Sequence, residues 1–346
     1  MAQLETIRRR GRSRSHEALL VLVSLSSVVL AALLAEAAAR LYHRDIDSTA
    51  DNTSYFSWRH RPKLNRLGFR GPEPDALAGD PLVAIVGDSF AFGQGVEEGE
   101  RFGNLLEGML RERMGVRHRV LTLARPGAGP EDHLRILEDH VAPLRPELVV
   151  LQWFVNDAEV DPGLVRPRPR PLVPSARLTT FLHRHSALYF VANHAWRRLQ
   201  IDRGWMPSYV EYLDRALRDP AGRPWQLAAE AFRAFAEGCA ARGLPLLVVL
   251  FPFLTGDEPD EVPLAYLLDR MLGLCRELGI GCLDLRGPFA GVPADRLHVN
   301  RFDPHPGPLA HRIAAEALFG PVAAHLRRNA GEATGMAATA HPPAFR

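Results

Sequence analysis

Ser89 follows an apolar run that stops abruptly, and the chain carries elsewhere the residue types that would turn such a serine into a nucleophile. The run 82–86 has the length and β-branched content of a buried strand, and Gly87-Asp88-Ser89 ends it in a glycine-bearing turn. Gly87 is read here as the residue that permits the sharp exit. A serine there stands at the carboxyl end of a strand, where open α/β sheets place their ligands. Taken alone, a serine in a tight turn is equally a helix cap. A hydroxyl also needs a base, and the base needs an orienting group. The segment 301–307, RFDPHPG, lies directly before the last helical stretch. From it His305 could reach across the sheet top as general base, with Asp303 fixing its tautomer and Pro304 and Pro306 stiffening the loop. Two further strand exits converge on the same region. The second strand runs into 124–129, ARPGAG, where a backbone N–H could be left free, and the third into 152–157, QWFVND, where the Asn156 amide could point inward. With the Ser89 N–H these make three donors for a tetrahedral oxyanion, and the chemistry they describe is acyl transfer. It requires no metal and no organic cofactor.

The ordered segments GDSF at 87–90, RPGAG at 125–129, FVND at 154–157 and DPHP at 303–306, followed by LAHRIAAEAL at 309–318, resemble the SGNH (GDSL-type) hydrolase family. The resemblance covers residues 64 to 325 and includes LNRLGFRG at 64–71, which is similar to the lead-in of membrane-anchored bacterial members. It implies that Ser89 is the nucleophile and its N–H the first oxyanion donor. Gly127 would supply the second donor through its backbone and Asn156 the third through its side chain, with His305 as base and Asp303 as third triad member. It also implies a three-layer α/β/α sandwich around a five-stranded parallel sheet of flavodoxin-like order 2-1-3-4-5. Two departures stand out. The family commonly spaces its last acid and histidine as Asp-x-x-His, a pattern found here at Asp295 and His298, whereas Asp303 and His305 are spaced Asp-x-His. We assign the later pair, because Pro306 and the closing helical segment follow it. The glycine usual two places before the asparagine is Phe154, which crowds the floor beside the oxyanion site.

The elements that must position these residues alternate along the chain. Strand candidates are 82–86, 118–123, 147–151, 245–250 and 281–285; helical candidates are 102–113, 131–140, 226–242, 264–278 and 309–327. Strands separated by helices of this length argue for a parallel sheet covered on both faces. The hydrolase domain is placed at 81–327. Within it the alternation breaks over an insertion, 158–224, that opens with Pro-Arg repeats at 166–171 and continues through an apolar piece holding Tyr189, Phe190 and Trp196. Both a lid or substrate-binding cap and a surface subdomain packed on itself fit that interval. The tail 328–346 lacks a strong pattern and reads as disordered.

The basic N-terminus 1–17 carries Arg8, Arg9, Arg10, Arg12 and Arg14 before an uncharged run, 18–35, that at ~1.5 Å per residue nearly spans a bilayer core. Residues 18–39 are read as a transmembrane helix with the arginines cytoplasmic, followed by a linker and lead-in at 40–80. A cleavable signal peptide is the alternative, since Ala35-Glu36-Ala37 offers a small-x-small site. The topology implies a single-pass protein of a bacterial inner membrane with its catalytic domain extracytoplasmic. A net charge of +2 marks no nucleic-acid partner. Cys239, Cys275 and Cys282 have no metal-ligand spacing; the first two read as buried thiols, and an oxidising compartment would allow a pairing through Cys282. The resulting expectation is a serine esterase of O-acyl or O-acetyl esters on an envelope glycan or lipid. The same triad serving as an O-acyltransferase, or a catalytically silent domain that binds glycan or protein, are the alternatives.

Overall fold

The computed structural model describes residues 2–42, 62–77 and 79–339. Five strands form one parallel sheet: β1 (Leu82–Gly87), β2 (Arg119–Ala124), β3 (Leu148–Trp153), β4 (Leu246–Leu250) and β5 (Gly281–Asp284). Their order is β2-β1-β3-β4-β5, the flavodoxin-like order expected. Every residue of β1 and β3 is buried. That double-sided burial explains why these strands read as unbroken apolar runs rather than as alternating ones. The register places Val83 beside both Val120 and Leu148, so the exits of β1, β2 and β3 open at the same end of the sheet.

In chain order the helices are α1 (Ala2–Tyr42), α2 (Ser89–Phe92), α3 (Phe102–Met114), α4 (Pro130–Ile136), α5 (Ala176–His185), α6 (Ala187–Asp202), α7 (Tyr209–Leu217), α8 (Arg223–Ala240), α9 (Ala265–Leu278), the short turns α10 (Arg286–Phe289) and α11 (Ala294–Leu297), and α12 (Pro308–Thr339). Between α11 and α12 a hairpin of β6 (His298–Asn300) and β7 (Asp303–Pro306) stands where the sequence read only a loop. In α8 the buried positions Trp225, Ala228, Ala229, Phe232, Phe235, Ala236 and Cys239 repeat at helical spacing, giving a stripe that packs on α4. α3 packs on α12, and these pairs supply the layers flanking the sheet.

α1 and residues 169–202 form one compact unit; the rest of the described chain forms the other. The interval 158–224 is thus divided between the two units. Its last part, α7, belongs to the hydrolase unit and buries Tyr212, Leu213 and Leu217, whereas α5 and α6 belong with α1. α1 is continuous through the segment 1–17 that the sequence set apart from the span, and His16–Tyr42 is long and apolar enough to cross a membrane. Residues 43–61 and 78 of the expected linker, and 340–346 of the expected tail, lie outside the described residues. The expectation of a disordered tail is corrected up to Thr339: α12 runs on past Arg328, through a stretch rich in alanine, the best helix former. Cys239, Cys275 and Cys282 are free thiols.

Candidate active site

β1 delivers Ser89 through a turn held by a buried side chain from the neighbouring strand. Gln152, at the end of β3, accepts the N–H groups of Asp88 at 3.0 Å and Ala91 at 3.2 Å through its Oε1. A Cβ on Gly87 would lie 2.5 Å from that oxygen and 2.8 Å from the Ala91 Cβ. Gly87 has no positive φ. The expectation that it serves the sharpness of the turn is thus corrected: glycine is required because Gln152 and α2 press against it. Asp88 Oδ1 accepts the Phe90 N–H at 2.8 Å and so caps α2, which makes Ser89 the first residue of a helix, where an N–H has no intrahelical acceptor.

The candidate base arrives on the β6–β7 hairpin. Asn300 Oδ1 accepts the N–H groups of Phe302 at 2.9 Å and Asp303 at 3.0 Å, folding the chain back so that Asp303 and His305 lie on β7. His305 Nε2 lies 3.0 Å from Ser89 Oγ, and His305 Nδ1 lies 2.5 Å from Asp303 Oδ1. Asp303 is buried and also accepts the His305 N–H at 3.1 Å. A carboxylate that can only accept assigns the proton to Nδ1 and leaves Nε2 as an acceptor for the serine hydroxyl. His298 is not brought to Ser89: it pairs with Pro306 across the hairpin, and burial pulls its pKa down. The hairpin explains the departure from Asp-x-x-His, because residues i and i+2 of a strand share a face.

Gly127 sits in the turn between β2 and α4 with φ +76°, a left-handed conformation that a side chain resists although open space surrounds the position. Arg125 steadies this turn by donating to Leu67 O at 2.7 Å and lying over the Phe69 ring at 4.5 Å. Asn156 lies in the turn after β3, and its Nδ2 donates to Asp88 Oδ2 at 2.7 Å. One amide hydrogen is thereby fixed, which orients the second. Beneath it, burial and the nearby Asp88 raise Asp157 well above the usual carboxylate range, while burial lowers His133 to about 4. They approach to 3.9 Å, and burial disfavours the charged form of each.

Sequence reasoning missed four positioning residues. Gln152 and Asp88 looked like a strand residue and a turn residue. Arg70, in the segment 64–71, is buried and donates to Gly93 O at 2.7 Å and Val96 O at 3.1 Å, bracing the loop that leaves the nucleophile. Arg101, also buried, donates to Arg70 O at 3.3 Å, and burial together with Arg70 brings its pKa down to about 9. For Asp88 the available signal was a charged residue inside an otherwise apolar stretch, 82–92. Phe154 stacks on Phe90 with ring centroids 4.4 Å apart and meets Phe253 edge-on at 5.2 Å, so the position usual for glycine is filled by an aromatic wall. Phe90 in turn touches the His305 ring edge-on at 5.6 Å.

A serine at a strand exit, in contact with a half-buried histidine that is itself bonded to a buried aspartate above a parallel sheet, defines a serine hydrolase of the α/β class. The model of the GDSL-like lipase/acylhydrolase family matches residues 85–313, and the chain belongs to that family; it is an ester-hydrolysing enzyme. Among curated proteins none matches the sequence. Solved structures similar to it include TesA, at 15% identity over 69% of this chain and 96% of that one, with a TM-score of 0.43. A catalytic mutant of an acetylxylan esterase from Geobacillus stearothermophilus is similar at 15% identity over 70% of this chain and 93% of that one, TM-score 0.42. The psychrotrophic esterase EstA from Pseudoalteromonas sp. is similar at 10% identity over 72% of this chain and all of that one, TM-score 0.43.

Proposed function

We propose that the protein is a membrane-anchored serine esterase that removes short acyl groups from an extracytoplasmic glycan or lipid through an acyl-enzyme intermediate. The observation that carries this reading is the contact chain from Ser89 Oγ to His305 Nε2, 3.0 Å, and from His305 Nδ1 to Asp303, 2.5 Å. Ser89 attacks the ester carbonyl while His305 takes its proton, and Asp303 stabilises the imidazolium that forms. The developing oxyanion is received by the N–H groups of Ser89 and Gly127 and by the second hydrogen of Asn156 Nδ2. His305 then protonates the leaving alcohol, and afterwards activates the water that releases the acid.

Phe154 supports the short acyl group, because its ring, buried against Phe90, fills space beside the proposed oxyanion site that a glycine would leave open. The anchor is supported by the uncharged run 18–35 behind five arginines; that charge order favours a cytoplasmic N-terminus in a bacterial inner membrane and an extracytoplasmic hydrolase unit. An O-acylated envelope glycan or lipid would then be the ester within reach. The test is labelling of the full chain by an organophosphonate fluorophore. Labelling of the wild type that is lost in Ser89→Ala and strongly slowed in His305→Ala supports the reading. Equal labelling of wild type and Ser89→Ala would refute it. Mass spectrometry of envelope material before and after treatment with the enzyme identifies the acyl group released.

A further inference from the structure

The catalytic reading makes no use of the unit formed by α1, α5 and α6, which has a construction of its own. From Leu19 to Leu34 every residue of α1 is exposed, and its first partly buried positions are Ala35, Glu36 and Ala39. Packing thus begins where the uncharged run 18–35 ends. There Glu36 crosses to the corner between α5 and α6. Its carboxylate accepts the Ser186 hydroxyl at 2.8 Å and the N–H groups of Ala187 and Leu188, each at 3.0 Å. The two N–H groups are orphan donors of the first turn of α6, so a residue of the anchor helix caps a helix that begins 151 residues later. Arg40 completes the joint by bonding Glu36 at 2.6 Å and donating to His185 O at 2.7 Å.

The same unit carries exposed apolar side chains near this corner. Leu178 is 45% exposed, Phe181 57% and Leu188 37%. Leu178, Phe181 and His185 follow one another along one face of α5, and Phe181 lies about 6 Å along the axis from the residue whose carbonyl Arg40 holds. Phe181 and Leu188 therefore stand within about one helical turn of the joint where α1 leaves its apolar run. Residues 169–202 also hold five arginines against a single carboxylate, Asp202, a balance that suits anionic headgroups. An interfacial helix combines such an apolar face with basic flanks.

We propose that the α5–α6 corner is a second membrane contact, in which Leu178, Phe181 and Leu188 enter the headgroup–acyl boundary of an anionic bilayer beside α1, with Arg177 and Arg40 toward the lipid phosphates, and that Glu36 locks this foot to the anchor. The inference rests on the anchor reading above. It assigns residues 169–202 to membrane docking instead of to a lid over the catalytic serine. Cleavage near Ala37 would strip α6 of its cap, so the foot also requires an uncleaved N-terminus.

The experiment uses the full chain in vesicles of phosphatidylcholine and phosphatidylglycerol at three to one. In a Cys282→Ser background, nitroxides are placed at Leu30→Cys in the span, at Phe181→Cys and Leu188→Cys on the foot, and at Glu131→Cys, whose side chain is 90% exposed in the hydrolase unit. The ratio of oxygen to nickel-chelate accessibility reports depth. The ratios at 181 and 188 are expected several-fold above that at 131 and below that at 30. Adding Glu36→Ala should drop the ratio at 188 to that at 131 while position 30 stays deep. If 181 and 188 match 131 while 30 is deep, the anchor stands and the foot is refuted. If Glu36→Ala changes nothing at 188, the lock is refuted. A solvent-accessible label at 30 would overturn the anchor reading itself.

Discussion

Replacing Asp88 by asparagine should lower kcat by roughly 10²–10³ while leaving the protein as stable as before, or more so, at pH 7. Asp88 is buried, with one carboxylate oxygen 2.8 Å from the Phe90 N–H and the other 2.7 Å from Asn156 Nδ2. In Asp88→Asn the oxygen must stay on Phe90 to keep the cap, so the new NH₂ group faces the NH₂ of Asn156. Two donors then oppose each other. The relief is for Asn156 to turn its Oδ1, which has no partner among the described residues, toward residue 88. That movement takes Nδ2 away from its fixed direction and presents the oxyanion with a misaligned donor. One preorganised donor contributes about 2.7–4 kcal/mol, which gives the stated loss. Stability moves the other way. Burial raises the Asp88 pKa above 3.8, so as pH climbs the unfolded chain gives up this proton before the folded one does. Folding stability falls across that window, so at pH 7 the folded protein carries a penalty that is absent below it. Asparagine removes it, so the gain should be present at pH 7 and shrink at pH 3.5. The assay is kcat and KM on a short-chain aryl ester, with urea unfolding at both pH values. Because Asp88 acts through Asn156, Asp88→Asn combined with Asn156→Ala should lose no more than about threefold beyond Asn156→Ala alone. A folded Asp88→Asn enzyme with near wild-type kcat, or a double variant whose losses multiply, would show that Asp88 does not position the amide.

Ser89→Ala and His305→Ala should each reduce ester turnover by several orders of magnitude, and the double variant little further, since either loss removes the activated nucleophile; multiplicative losses in kcat would contradict a single catalytic unit. Asp303→Asn should sharply reduce kcat with an unchanged melting temperature, while Asp295→Asn and His298→Ala stay near wild type; the assignment moves to the earlier pair if His298→Ala abolishes turnover in a folded protein and His305→Ala does not. Phe154→Gly should shift preference from acetyl toward longer acyl esters, read as kcat/KM against chain length, and an unchanged profile would remove Phe154 from the acyl wall. Gly87→Ala should destabilise by about 1–3 kcal/mol in urea unfolding, because the Gln152 oxygen that its Cβ meets is tied to two N–H groups and cannot yield; wild-type stability would mean the strand exit is looser than the contacts indicate.

Local sequence determined the five strands, the helices between them and the strand exits that matter. A buried parallel strand needs an apolar run and a nucleophile turn needs small residues, so both are written in consecutive letters. Ser89, Asn156, Gly127 and the Asp303–His305 pair were legible on that basis, and the order of the segments gave the sheet order through the family resemblance. Tertiary structure decided what depends on residues distant in the chain. That His305 and not His298 stands beside Ser89 turns on the β6–β7 hairpin, whose pairing no local pattern announced, since strand propensity depends on the partner strand more than on its own letters. Gly87 is explained by Gln152, 65 positions later, and Asn156 is aimed by Asp88 at a separation of 68. Part of the insertion falls in the unit of α1, where Glu36 caps α6, a contact invisible in a sequence where a lone glutamate after an apolar run reads as its end. Hydrophobic period encodes which face of an element is buried; which polar group meets which is fixed only when the elements pack.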